Sequence, residues 1–368
     1  MKARPFVYRF AGRERRRAAI VLLIVGTVVV CCVGCGRGPG KGSVPSSAHL
    51  DVKYGRSASG SPLSEDVFSP NDRRGSAPMI IVVHGGGFTS GNAKGVAQYA
   101  KALAAVGFVA AGINYTLVRP HHAGYPEQVN EVRRAIQWNI ANARRFGADP
   151  DRVALLGFSA GGYLAAMAGL LDSNIPGRPV RAVVTLSAPL DLPAIDRLLR
   201  ARLAACGYRR RCPQLPHAPL LSSFGTLFEF LGCPTGHCSN KLIREASPTS
   251  HVSASAPPFL IFNSSHEFIP KNQATDMGRR LRHAGVGEQV VIVPGTRHAT
   301  EYADEVSPKI VKFMKQRLGG VAPLRRFREG KVASSGGQSL LLTVCAIVAG
   351  VSVLVVAIGV RRRQGALV

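Results

Sequence analysis

Residues 153–166 read VALLGFSAGGYLAA. An unbroken apolar run meets a stretch whose small and apolar residues recur at helical spacing, and Ser159 stands at the junction, between Gly157 and Gly161. A short continuous apolar run suits a strand buried on both faces, and the spacing after it suits a helix packed on a sheet. The stretch therefore predicts strand, sharp turn, helix. In that geometry the flanking glycines tolerate strained backbone and close approach, so the hydroxyl stands exposed at the carboxyl edge of the sheet and the next N–H points at the same spot. Ser159 is a candidate nucleophile and Ala160 a candidate oxyanion donor. The pentapeptide alone would not decide this, because a chain with 40 glycines produces it by composition; its flanks do.

A second motif reads the same way. Residues 78–91, PMIIVVHGGGFTSG, are an apolar, β-branched strand that ends in His84 followed by Gly85, Gly86, Gly87 and Phe88. Residues without side chains let backbone N–H groups turn toward a developing oxyanion, and losing one such donor typically costs about 100- to 1,000-fold in rate. Gly86 and Gly87 are the candidate donors beside Ala160. A phosphate cradle is the rival reading, but a Walker loop would close on Gly-Lys-Ser/Thr and a dinucleotide loop would show G-x-G-x-x-G opening a helix; neither is present.

With these residues in place the chain resembles the α/β-hydrolase superfamily, and within it bacterial carboxylesterases of the hormone-sensitive-lipase-like and feruloyl/acetyl-esterase-like branches. The similarity runs from about residue 52 to 318, carried in order by HGGGF (84–88), GINYTL (112–117), GADPDRVALLGFSAGG (147–162), SPTSHVSASAPPFLIFNSSHEFIP (247–270) and VPGTRHA (293–299). The resemblance implies a mostly parallel eight-stranded sheet flanked by helices and hydrolysis of carboxylic esters without a cofactor.

A serine nucleophile needs a base and an acid, which in this fold follow it in the order serine, carboxylate, histidine. His298 lies just after the apolar strand QVVIVP in a glycine-containing turn, where the family carries its catalytic histidine. His283 follows arginines in an amphipathic stretch and reads as a solvated side chain, and His84 reads as the residue that orients the oxyanion loop. The acid is less regular. Relatives show His-Gly-x-x-Asp after the preceding strand, whereas this chain has Asn263 and Ser264 in place of His-Gly and Glu267 as the carboxylate; counting back from Ile-Pro would instead place His266 there. Glutamate can serve, since the acid only holds the imidazole tautomer and stabilises its cation. Asp191, after the strand AVVTLSAPLD, and Asp276, in an expected helix, are the competing carboxylates.

The 368 residues, 46% of them hydrophobic, hold one large α/β core and no internal repeat. A basic head precedes an uncharged apolar run of about 17 residues, so residues 1–35 read as a signal peptide or signal anchor. Residues 339–360 are an uncharged run stopped by Arg361, Arg362 and Arg363, long enough to span a bilayer core of about 30 Å. Both basic flanks lie at the outer ends, so the positive-inside rule expects both termini in the cytoplasm, residues 361–368 as a cytoplasmic tail, and the hydrolase outside. Residues 36–47 and 319–338, rich in Gly, Pro and Ser, frame a catalytic domain at 48–318 as linkers. Cys35 in CVGC weakly matches a lipidation motif.

Four further cysteines fall within 194–243, where the family inserts a variable lid. Local disulfides between Cys206 and Cys212 and between Cys233 and Cys238 are the expectation in an oxidising compartment, with a zinc site on His237 as the rival that lacks a C-x-x-C spacing. Phe224, Leu227, Phe228, Phe230 and Leu231 are expected either to line the acyl pocket or to join the core. Residues 48–320 carry 31 Lys and Arg against 19 Asp and Glu, within a net charge of +26 for the chain. A cationic domain fits anionic headgroups or wall polymers, and no nucleic-acid motif accompanies the charge. The expected function is a membrane-anchored serine carboxylesterase acting on a small-molecule, lipid or polysaccharide ester. A serine peptidase on the same fold and a catalytically silent binding protein are the alternatives.

Overall fold

Apolar runs without alternation belong to strands covered on both sides, and in this chain they form the middle of one sheet. The computed structural model describes residues 46–320 apart from 72–74, 120–123, 174–179, 206–218 and 234–236. The strands are β1 (Ser46–Arg56), β2 (Pro62–Pro70), β3 (Ala77–Val83), β4 (Val109–Ile113), β5 (Ala148–Phe158), β6 (Val180–Leu186), β7 (Phe259–Ser264) and β8 (Glu288–Val293), in the order β1-β2-β4-β3-β5-β6-β7-β8. β2 runs antiparallel to both of its neighbours and every other pairing is parallel. The architecture is an α/β-hydrolase sheet, mostly parallel and eight-stranded.

Alternate residues of the central strands serve different layers, because successive side chains point to opposite faces. Ile81, Val83, Ala111 and Leu155 join one core with the helices α2 (Glu127–Asn142), α3 (Ala160–Asp172) and α7 (Asn272–His283). Ile80, Val82, Ala110 and Leu156 join the other with α1 (Ala97–Ala105) and α8 (Ala303–Leu318). Both faces are thus sealed, and the loops at the carboxyl ends of the strands are left to carry chemistry, as is general for open α/β sheets.

Between β6 and β7 lie α4 (Leu192–Ala205), α5 (Pro219–Leu231) and α6 (Asn240–Glu245), the region read as a lid. Cys233 and Cys238 are disulfide-bonded, with Cα atoms 5.3 Å apart. Cys206 and Cys212 lie outside the described residues, as do the side chain of Phe224, the two apolar end segments, the tail, Cys35 and nearly all of both linkers. Strand β1 begins at Ser46, inside the stretch read as the first linker. Among the described residues no helix is long and apolar enough to cross a membrane.

Candidate active site

Four strand ends build the site. At the end of β5, Ser159 has φ 52° and ψ −120°, the strained turn that a strand needs to reverse into a helix within one residue. Its N–H donates to the Leu186 carbonyl at 2.8 Å, which ties the turn to β6. The chain can close this tightly because no side chain intervenes: a Cβ on Gly161 would lie 2.2 Å from the His84 carbonyl. Ala160 is the first residue of α3, so its N–H is among the four that an α-helix leaves without an internal partner.

The glycine loop after β3 is held by its own turn. The Gly86 carbonyl accepts from the Thr89 and Ser90 N–H groups at 3.1 and 3.0 Å and from the Ser90 hydroxyl at 2.9 Å. The Gly87 N–H sits on the opposite edge of the same planar peptide and is therefore aimed away from that turn. Gly86 has φ 119°, and a Cβ there would lie 2.1 Å from the Ser90 carbonyl, so only glycine fits. Below the loop His84 is buried, stacks on Tyr115 with centroids 4.2 Å apart, and bonds through Nδ1 with the Gly85 carbonyl at 2.7 Å. Burial pushes its imidazole down to about 4, so it stays neutral near pH 7 as a structural support. Farther along, Phe88 offers its carbonyl to the Gln128 amide at 3.1 Å and to the Val118 N–H at 3.0 Å.

The loops after β7 and β8 bring the other candidates together. His298 Nδ1 pairs with Glu267 Oε2, and the Glu267 side chain is fully buried while that of His298 is 22% exposed. Glu267 Oε1 accepts from the Ser264 N–H at 2.8 Å and from the Ser187 hydroxyl at 2.6 Å. Ser159, Ala160, Gly86, Gly87 and His298 all line one cavity of about 500 Å³. Phe268 lines it too, its ring centroid 4.3 Å from that of His298.

The competing carboxylates lie elsewhere. Asp191 caps α4, its Oδ1 accepting the Ala194 N–H at 3.0 Å, and Asp276 pairs with Arg279 on α7. His266 is exposed and bonds Ser265, and His283 is exposed at the end of α7. Of the residues expected in the lid, Leu227, Phe228, Phe230 and Leu231 are all buried in the core, and Leu227 lines the cavity as well. Three site residues escape sequence reasoning: Ser187, Tyr302 and Phe268. Tyr302 carries a faint signal, four places after His298; Ser187 carries none, since only the fold brings the end of β6 to the acid.

The family model BD-FAE matches residues 65–203. A carbohydrate esterase from gut microbiota, solved in truncated form, superposes with a TM-score of 0.59 at 21% identity, over 76% of this chain and 99% of its own. The fold is that of the α/β-hydrolases. EstE1, a thermostable carboxylesterase cloned from a metagenomic library, shares the fold, with a TM-score of 0.58 at 20% identity over 83% of this chain and 98% of its own. In sequence the chain is 27% identical over 262 residues to the probable carboxylic ester hydrolase LipM of Mycobacterium tuberculosis, covering 68% of this chain and 55% of that protein. It is 31% identical over 233 residues to Esterase LipC of the same organism, covering 62% and 54%. The chain thus spans about half the length of the curated relatives it matches.

Proposed function

We propose that this α/β-hydrolase is a serine carboxylesterase in which Ser159 is the nucleophile, His298 the base, Glu267 the acid, and Gly86, Gly87 and Ala160 the oxyanion donors. The observation that carries the reading is the convergence of Ser159 and His298 on one cavity, with His298 paired behind to a buried carboxylate. The relatives are named as esterases, which agrees with it. Ser159 Oγ bonds to the ester carbonyl carbon as its proton passes to His298 Nε2, and the carbonyl oxygen becomes an oxyanion held by the backbone N–H groups. The tetrahedral centre then expels the alcohol, which takes the proton from His298. Water, deprotonated by the same imidazole, releases the acid and restores Ser159.

The residues lining the cavity include no Lys, Arg, Asp or Glu among those described, and much of the wall is glycine backbone, Phe158, Leu227, Phe268 and Ile269. Such a wall favours an uncharged acyl group over a carboxylate-bearing one. Anchoring by both apolar ends, with the catalytic domain outside the cytoplasm, is part of the same proposal and rests on the sequence alone. A series of p-nitrophenyl esters of rising acyl length, assayed on detergent-solubilised full-length protein, tests the activity, with Ser159→Ala as the control. Losing a triad nucleophile costs on the order of a million-fold in turnover. Labelling by a fluorophosphonate should vanish in that variant, and undiminished labelling would move the nucleophile to another residue. Protease added to intact cells should remove the middle of the chain and spare tags at both ends; digestion of the C-terminal tag would sink the second span.

A further inference from the structure

Behind the histidine and its carboxylate lies a second layer of polar groups that the reaction itself does not use. Ser187 is fully buried at the end of β6, and its hydroxyl meets three partners at once: Glu267 Oε1 at 2.6 Å, the Tyr302 hydroxyl at 2.8 Å and the Ala299 N–H at 2.9 Å. A serine hydroxyl has one proton to give and two lone pairs to accept with. An ionised Glu267 can only accept, so the Ser187 proton goes to it, and both other partners must donate into Ser187. Tyr302 is therefore the donor in its contact with Ser187. Burial first of all, and the nearby Glu267 charge as well, raise its phenol above the ordinary 10, which keeps that donor proton in place. The Ala299 N–H belongs to the residue next to His298, so one oxygen grips the acid and the loop of the base together.

The arrangement is held against backbone preference. Ser187 has φ 52° and Ala299 φ 45°, a region that residues with a Cβ seldom occupy. Strain of this kind persists only where surrounding contacts over-determine it, and here those contacts are the hydrogen bonds just described.

Resting on the proposed esterase chemistry, we infer that Ser187 and Tyr302 are positioning residues: Tyr302 donates to Ser187, Ser187 donates to Glu267, and this chain fixes the carboxylate so that Oε2 faces His298 Nδ1. It also suits a glutamate, rather than the shorter aspartate, in this place. The longer side chain has one more torsion to fix, and Ser187 together with the Ser264 N–H takes up Oε1, leaving Oε2 for the imidazole.

Ser187→Gly is the informative variant, because glycine adopts the positive φ freely and the hydroxyl is lost with no more than one methylene beside it. Tyr302→Phe removes one oxygen from the same chain at constant ring volume. Both are measured in the full-length protein, with thermal melts, steady-state kinetics on a p-nitrophenyl ester, and the downfield proton resonance of the His298 Nδ1–H. The expected result is a melting temperature close to that of the parent, kcat down roughly 10- to 100-fold, KM little changed, and the resonance moved upfield or lost to exchange, with Ser187→Gly the more affected; misplacement of a catalytic group by about 1 Å costs this much. If either kcat or the resonance keeps its parent value in folded Ser187→Gly, the inference is overturned. Should the parent hydrolyse no ester, the esterase reading fails by itself, and the resonance alone then decides whether Ser187 and Tyr302 order the Glu267 and His298 pair.

Discussion

At the scale of single residues, burial and partner count separate the acid from its competitors. Glu267 is sealed from solvent and takes the His298 Nδ1–H on one oxygen, whereas Asp191 spends its Oδ1 on the first turn of α4. An amide keeps a cap, because asparagine caps helices as well as aspartate does. It cannot favour an imidazolium. Glu267→Gln should therefore lower turnover by up to about 10,000-fold, as the loss of a triad carboxylate does, while Asp191→Asn stays within a few-fold of the parent. Turnover of the two variants, with melting temperatures to show that both are folded, checks this. A near-normal Glu267→Gln beside an inactive Asp191→Asn would transfer the role. Counting forward from an apolar strand was enough to nominate Glu267 and His298, since each follows its strand within a few residues. Ser187 was illegible for the converse reason: its partners lie 80 and 115 residues away, and no local pattern encodes such a meeting.

At the scale of elements, the segment expected to act as a lid proves to be partly core. Phe230 of α5 stacks on Phe88 of the glycine loop with centroids 4.1 Å apart and an interplanar angle of 17°, and meets Tyr163 of α3 edge-on at 5.3 Å. Its carbonyl accepts the N–H groups of Gly124 and Tyr125, both at 2.9 Å. Just after α5 comes the Cys233 to Cys238 disulfide, and Arg200 of α4 donates to the Cys238 carbonyl at 3.0 Å. The apolar composition of residues 224–231 announces burial, but it cannot tell a pocket wall from a core, because both require the same side chains. Phe230→Ala removes a fully buried ring, and such truncations cost roughly 3–5 kcal/mol. Urea denaturation should register that loss, and kcat should fall with it because Phe88 loses the ring that backs the oxyanion loop. If stability falls and kcat of the folded variant does not, α5 supports the core alone and leaves the loop to Gln128 and Val118.

For the molecule as a whole, two buried ionisable groups set opposing limits on stability. Glu65 of β2 is fully buried against α2, where the Asn139 amide donates to it at 2.7 Å, and burial lifts its carboxyl from 4.5 to about 8. Between those values the folded chain keeps a proton that the unfolded chain has released, so stability falls as pH rises across the window. His84 works the other way. Its imidazole is lowered from 6.5 to about 4, so the unfolded chain takes up a proton that the folded chain refuses, and stability falls as pH drops through that range. The two slopes cancel between 4.5 and 6.5, leaving His84 to act alone toward acid and Glu65 alone from 6.5 to 8. One proton of difference is worth about 1.4 kcal/mol per pH unit, so Glu65 costs on the order of 2 kcal/mol over that alkaline stretch, roughly 4–8 °C in melting temperature for a domain of this size. Glu65→Gln keeps an acceptor for Asn139 and cannot titrate. Its melting temperature should gain on that of the parent steadily from pH 6.5 to 8 and hold a constant offset above that, and two curves that run parallel from 6.5 to 8 would show that Glu65 is ionised in the fold and that the limit lies with another group.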